Sequence, residues 1–232
     1  LAKMWKRKFN FLSGFILDPI NKVNRLIPGW EIHAINSLSE NNCRDPNHFI
    51  ERCEKKGFKA LEFTTEEEIY GKKMLKKFDL KENDKFVCFA VRDHASQLRK
   101  SNYPNHDWSY HNYRNEDIDK FRLVAEELAR RGYYVFRMGV VANKPMKTNN
   151  PKIIDYVNTD LRNDFLDVYL GAKCSFCLST GTGFHQVPYV FGRPIALMNL
   201  PVGDCRTDSS KILLLTKHHV LKKEKRKLTL SE

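Results

Sequence analysis

Residues 116–140 read EDIDKFRLVAEELARRGYYVFRMGV, and this stretch decides the fold. Ile118, Phe121, Ala125 and Leu128 recur at three- and four-residue spacing, which sets them on one stripe of a helix. Gly132 marks the carboxyl end of that helix. YYVFRMGV follows at once as a nearly unbroken apolar run, the pattern of a strand covered on both faces.

Working outward, KFVCFAV at 85–91 is a second run of the same kind. Downstream, KIIDYVN (152–158), CSFCLS (174–179) and PIALMN (194–199) read as strands, with helices at DFLDVYLGAK (164–173) and GFHQVPYVFG (183–192) between them. Upstream, FTTEEEIYGKKMLKKFDL (63–80) opens on threonine caps and acidic residues and closes on lysines, a helix oriented to suit its own dipole. Its apolar positions Ile69, Met74, Leu75 and Phe78 fall on one side. Strand and helix in alternation predict an α/β, Rossmann-like parallel sheet with helices on both faces, over residues 61–232. Residues 1–60 lack a repeating pattern and carry turn signals in NRLIPGW and NNCRDPNH, so they are expected to form an irregular or helical N-terminal extension.

The net charge of +12 favours an anionic partner, and much of it lies in KMWKRK near the start and KHHVLKKEKRK near the end. Six scattered cysteines read as core thiols of a reducing compartment; Cys174 and Cys177 form a C-x-x-C that reads as part of one strand. No apolar run reaches the length of a membrane span. FNFLSGFILDPI at 9–20 is too short for one, and Pro19 interrupts it.

Ligands of parallel sheets bind at the carboxyl ends of the strands. Four features fall there: Arg92 and Asp93 after the first strand, Arg137 near the end of the second, NTDLRN (158–163) after the third, and Thr180-Gly181-Thr182-Gly183 after the fourth. Two guanidinium groups beside a glycine-rich strand-to-helix turn suit a diphosphate. Taken singly, the turn could be no more than a tight connection, Arg92 a surface ion pair, and Asp93 a ligand of a backbone N–H. Asp93 or His94 could also orient an acceptor or act as base. The loop 94–114 carries Tyr103, Trp108, Tyr110, His111 and Tyr113, suited either to stacking on sugar rings or to an aromatic cluster that pins the loop. A G-x-G-x-x-G after the first strand, a phosphate-binding G-x-x-x-x-G-K and an HExxH are all missing from the sequence. No cofactor and no metal is therefore expected.

VRD (91–93), YRN (113–115), RMG (137–139) and STGTG (179–183) are the most specific parts of a resemblance that runs from about residue 24 almost to the end. In them the chain resembles glycosyltransferases encoded with bacterial surface-polysaccharide genes, and more broadly the C-terminal, donor-binding half of GT-B enzymes. The resemblance implies that Thr180, Gly181, Thr182 and Gly183 hold the diphosphate of a nucleotide sugar. The base and ribose would rest near Val157 to Arg162, Asn158 included. His185 would stand beside the diphosphate, its alternative being a packed helix histidine. Arg92 and Arg137 would neutralise the departing nucleoside diphosphate, with a glycan or lipid-linked acceptor receiving the sugar in the cytoplasm. The basic ends of the chain could touch the anionic inner face of the membrane, where lipid-linked acceptors sit. GT-B enzymes have a second such domain, and only one is evident here, so a missing N-terminal acceptor domain is expected. Two other readings stay open: a sugar-nucleotide epimerase of the same architecture, which would need acidic residues in the cleft, and a basic nucleic-acid-binding module, for which no recognised motif is present.

Overall fold

The computed structural model describes residues 18–24, 26–28, 61–95, 107, 109–201 and 211–229. Most of the expected N-terminal extension, with KMWKRK, lies outside the described residues, as do Tyr103 and Trp108. The chain divides into two compact units, Leu1–Arg52 and Cys53–Glu232. In the first, helix α1 (Asp18–Asn24) carries Pro19 in its first turn, where a missing N–H leaves no helical bond unmade.

The second unit holds the sheet. Helix α2 (Thr65–Lys76) starts on a capping box in which Thr64 Oγ1 accepts from the Glu67 N–H and the Glu67 carboxylate accepts from the Thr64 N–H. Met74 and Gly71 face inward, whereas Ile69, expected on the apolar side, is 64% exposed. A Cβ on Gly71 would come within 2.3 Å of the Tyr169 ring, so a glycine is what lets α2 approach the helix that bears Tyr169.

Strands β1 (Phe86–Ala90) and β2 (Tyr134–Arg137) are buried almost throughout. Alternate residues point to opposite faces. Val87, Phe89 and Val135 pack with Ile118 and Phe121 and with Ala125 and Ala129 of helix α3 (Arg122–Arg130). On the other face Phe136 meets the rings of Phe78, Phe86 and Tyr156 at 5.3–6.3 Å. Each fully buried side chain of this kind contributes about 1.5–3 kcal/mol, which makes the two-sided core the main source of stability. Gly132 ends α3 at φ +95, a conformation glycine adopts without strain.

Strand β3 is only Ile153–Ile154; helix α4 (Asp164–Lys173), β4 (Cys177–Ser179), the short helix α5 (Gln186–Val190) and β5 (Ile195–Leu200) follow. The alternation of apolar runs in the sequence predicts five strands. ILLLT at 212–216 adds a sixth, β6 (Ile212–Thr216), and a small hairpin of β7 (Val220–Leu221) and β8 (Arg226–Lys227) comes after it. The sheet runs β3-β2-β1-β4-β5-β6 with every pair parallel. The chain thus builds outward from β1 to one side, then crosses back to β4 and builds to the other. The reversal lies between β1 and β4, the place where open parallel sheets receive ligands at the carboxyl ends of their strands.

The C-x-x-C does not lie in one strand. Cys174 caps α4 and Cys177 begins β4; both are free and buried, as is Cys88. Burial pushes the thiols of Cys88 and Cys177 well up, and the neighbouring thiols add to the effect. They are unreactive core groups at neutral pH.

Candidate functional site at the β1–β4 crossing

Thr180 closes the floor of the crevice. Its N–H donates to the Ala90 carbonyl at 3.0 Å, and its Oγ1 accepts from the Arg92 N–H at 2.8 Å. Only 2% exposed, Thr180 is a tie between the two strand ends, with its hydroxyl turned to backbone. Gly181 follows at φ +78, and a Cβ there would sit 2.5 Å from Leu200 Cδ2. Both the conformation and the space demand glycine. The Thr182 N–H reaches Ser179 Oγ at 3.4 Å, while Thr182 Oγ1 is buried without a hydrogen-bond partner. Gly183 is exposed, and its Cα faces open space.

The helix expected to start here is much reduced. A 3-10 turn, Gly183–His185, leads into the five residues of α5. So short a helix has little dipole to offer an anion, and positive charge at the crevice must come from side chains.

Two side chains supply it, and a histidine stands with them. Arg92 is half-buried, and its Nε has no hydrogen-bond partner. Its guanidinium is held below the ordinary value first by burial, then by the charge of Arg114, with Tyr113 acting the other way. Arg114 donates from Nη2 to the Gly181 carbonyl at 3.4 Å. His185, at the head of α5, has its pKa lowered chiefly by burial; the Thr182 backbone opposes this, and the charge of Arg114 adds a smaller lowering effect. Its Nε2 lies 3.0 Å from Gln186 Nε2. Arg114 thus reaches Gly181, a neutral imidazole stands beside Thr182, and Arg92 lies near enough to Arg114 to feel its charge.

Arg114 was not among the residues singled out, although YRN was. It arrives from a 3-10 segment, Ser109–Arg114, that returns to the end of β1. The Glu116 N–H donates to the Arg92 carbonyl at 2.8 Å. Lys217, just past β6, donates to the Tyr113 carbonyl at 2.8 Å and pairs with the Glu116 carboxylate. This strap joins residues about a hundred positions apart, so no local pattern announces it.

Arg137, expected at the crest, lies beneath it. Phe89 pairs with Arg137, so Arg92 stands three residues, about 10 Å, further along the strand direction. The Arg137 side chain is 3% exposed; its Nη1 donates to the Lys144 carbonyl at 2.7 Å and to Asp155 Oδ1 at 3.2 Å, and its Nη2 is 3.7 Å from Asp93 Oδ2. Asp93 in turn accepts from the Ala95 N–H at 3.0 Å and from the Asn143 N–H at 2.9 Å. Both are bound into the loops after β1 and β2. His94 is exposed beside them.

Asn158 is exposed after β3, two strands from the crossing, with its Nδ2 donating to Asp155 Oδ2 at 2.7 Å. In the same segment Arg162 pairs with Asp167 at 2.6 Å. Burial nonetheless raises the Asp167 pKa, Arg162 opposing it. Tyr110 and Tyr113 are 56% and 54% exposed, with Tyr110 tilted against His111 at 4.1 Å between ring centroids, so these two rings are not buried. A separate cleft of about 720 Å³ lies along the 145–150 loop against Arg122 and Glu126. There Thr148 and Asn150 bind both Glu126 oxygens, at 2.7 and 2.9 Å, and none of the residues at the crossing lines the cleft.

No family model and no curated protein matches this chain. Among solved structures it is similar to the glycosyl transferase family 9 from Veillonella parvula DSM 2008, at 15% identity and TM-score 0.46, covering 68% of this chain and 42% of that one. It is also similar to the E. coli ADP-heptose lps heptosyltransferase II, at 16% identity and TM-score 0.47, covering 67% of this chain and 44% of that one. The chain spans less than half the length of either.

Proposed function

We propose that this unit binds the donor of a metal-independent glycosyltransferase, a nucleotide-diphosphate sugar, and passes the sugar to a glycan acceptor in the cytoplasm. One observation carries the reading: where the strand order reverses, Arg92 feels the charge of Arg114, and Arg114 reaches the Gly181 carbonyl in the turn that also meets His185. Two cations at one crevice repel each other, and an anion between them relieves that repulsion.

The chemistry follows from the charges. Sugar transfer breaks the bond between the anomeric carbon and a phosphate oxygen, and the bonding electrons leave with the diphosphate. Negative charge grows on that group as the sugar becomes oxocarbenium-like. Arg92 and Arg114 stabilise it more in the transition state than in the ground state, which is what lowers a barrier. His185, kept neutral by burial, offers a hydrogen bond without a third positive charge. Gly183 leaves room for a phosphate to reach the backbone.

Thermal unfolding with uridine and guanosine diphosphate sugars tests the reading. A ligand at a hundredfold excess over its Kd stabilises the fold by about 2.7 kcal/mol, and Arg92→Ala and Arg114→Ala should each reduce the shift. No shift with any nucleotide-diphosphate sugar, or stabilisation by oligonucleotide instead, would overturn it.

A further inference from the structure

We propose that residues 211–229 form a docking surface for an anionic lipid bilayer. The inference is independent of the sugar-transfer reading. β6 is the last strand of the sheet, and its residues alternate: Ile212 and Leu214 are half-buried, while Leu213 and Leu215 are 62% and 54% exposed. Val220, in the hairpin, is 57% exposed. Three aliphatic side chains within eight residues of sequence are thus presented to solvent.

The same segment is the most cationic part of the chain. It holds seven lysines and arginines against one glutamate, half of the net +12. Lys222, Lys223, Lys225, Arg226 and Lys227 are all exposed, with Glu224 paired to Arg226 at 2.6 Å. Lys217 is outside this group, because its ammonium is held by Tyr113 and Glu116. The hairpin also fixes the charges in place: Val220 pairs with Lys227 and Leu221 with Arg226, Lys225 turns the chain at φ +55, and the Leu228 N–H donates to the His219 carbonyl at 2.8 Å. An ordered cationic array loses less conformational freedom on binding than a free tail does.

A charged array alone suits any polyanion. Exposed leucines and a valine beside it do not suit a phosphate backbone, and residues 211–229 contain no Phe, Tyr or Trp on which bases could stack. The boundary of an anionic bilayer meets both needs, since phosphates attract the lysines while the aliphatic groups enter the acyl border. Among the described residues no helix is long and apolar enough to cross a membrane, so the contact is one of surface docking.

Co-sedimentation of the full chain with two vesicle types decides the matter, one of phosphatidylcholine alone and one of phosphatidylcholine mixed with phosphatidylglycerol. Binding is expected only to the mixed vesicles at about 0.1 M salt, and it should be lost near 1 M. The triple variant Lys222→Gln, Lys223→Gln, Lys225→Gln should bind about a hundredfold more weakly. Leu213→Ser with Leu215→Ser should weaken binding several-fold with the charge unchanged. Equal binding to both vesicle types, an unaltered charge variant, or tighter binding to a single-stranded oligonucleotide than to mixed vesicles would each overturn the proposal. The lipid and salt dependence of the unaltered chain needs no variant, so a folding defect in one cannot shield the idea.

Discussion

Arg92 and Arg137 stand at the ends of neighbouring strands and have opposite surroundings. Arg137 is sealed beneath the crest, 3.2 Å from Asp155 and 3.7 Å from Asp93, and its charge is consumed where it lies. Arg92 emerges at the crossing, where the charged group acting on it is a second guanidinium. The difference shows that an arginine at a strand end gains meaning from its depth and its counter-ions. Arg137 holds two loops together; Arg92 leaves charge for a ligand.

The largest effect should come from the buried member. Arg137→Met removes the cation between Asp93 and Asp155 and leaves two carboxylates facing each other at low exposure. Breaking a buried pair in this way costs about 3–5 kcal/mol. Denaturant midpoints would show it, and a loss under about 1 kcal/mol would mean that water reaches the pair and that the two arginines are less different than their burial indicates.

Next comes the turn that Arg114 touches. Gly181→Ala places a Cβ 2.5 Å from Leu200 Cδ2 on a backbone at φ +78, and about 1–3 kcal/mol of stability should be lost. Strain from backbone and clash can be separated. Combined with Leu200→Ala, the cost should fall short of the sum of the two single changes, because part of it comes from the contact between them. Strict additivity would assign the whole cost to the dihedral.

This contrast was only partly visible in the sequence. The sheet was legible because doubly covered strands must be apolar along their whole length, as FVCFA and YVFR are. The strained glycine was legible as well, since the STGTG turn had to reverse the chain at the end of a strand. Depth was not. Which residue of β1 lies beside Arg137 is a matter of register, and register is set by packing across strands distant in sequence. Asp93 illustrates the same limit, because its two N–H donors come from positions 95 and 143. Arg114 was hidden for another reason: Lys217 and Glu116 hold its loop from opposite ends of the unit. The leucines of β6 passed unread beside a lysine-rich stretch whose charge dominated its appearance.

A smaller effect concerns His185. Its pKa lies below the ordinary 6.5, so the folded protein keeps the imidazole neutral where the unfolded chain has begun to bind a proton. Unfolding then takes up a proton, and stability declines as pH falls from about 6.5 toward the folded-state pKa. The decline ends below that value, where both states are charged. In His185→Gln this part of the pH dependence should vanish. If the slope is unchanged, the group responsible is a different one, and the closeness of Arg114 to His185 loses its support.

The smallest effect on stability is expected at Arg92 itself, and that smallness is the sharpest test of the comparison. Arg92→Ala removes a half-buried guanidinium whose strongest charged neighbour repels it, so the unfolding midpoint should stay within about 0.5 kcal/mol of the original. The backbone tie survives the change, because Thr180 Oγ1 accepts from the Arg92 N–H, which alanine keeps. An anion's stabilising effect should nevertheless shrink, since one of the two cations that would hold it is gone. Arg137→Met should do the reverse, lowering the midpoint of the empty protein by far more. A variant at position 92 that unfolds as readily as one at 137 would place both arginines in the same structural role, and the crevice would keep only Arg114 and a neutral histidine.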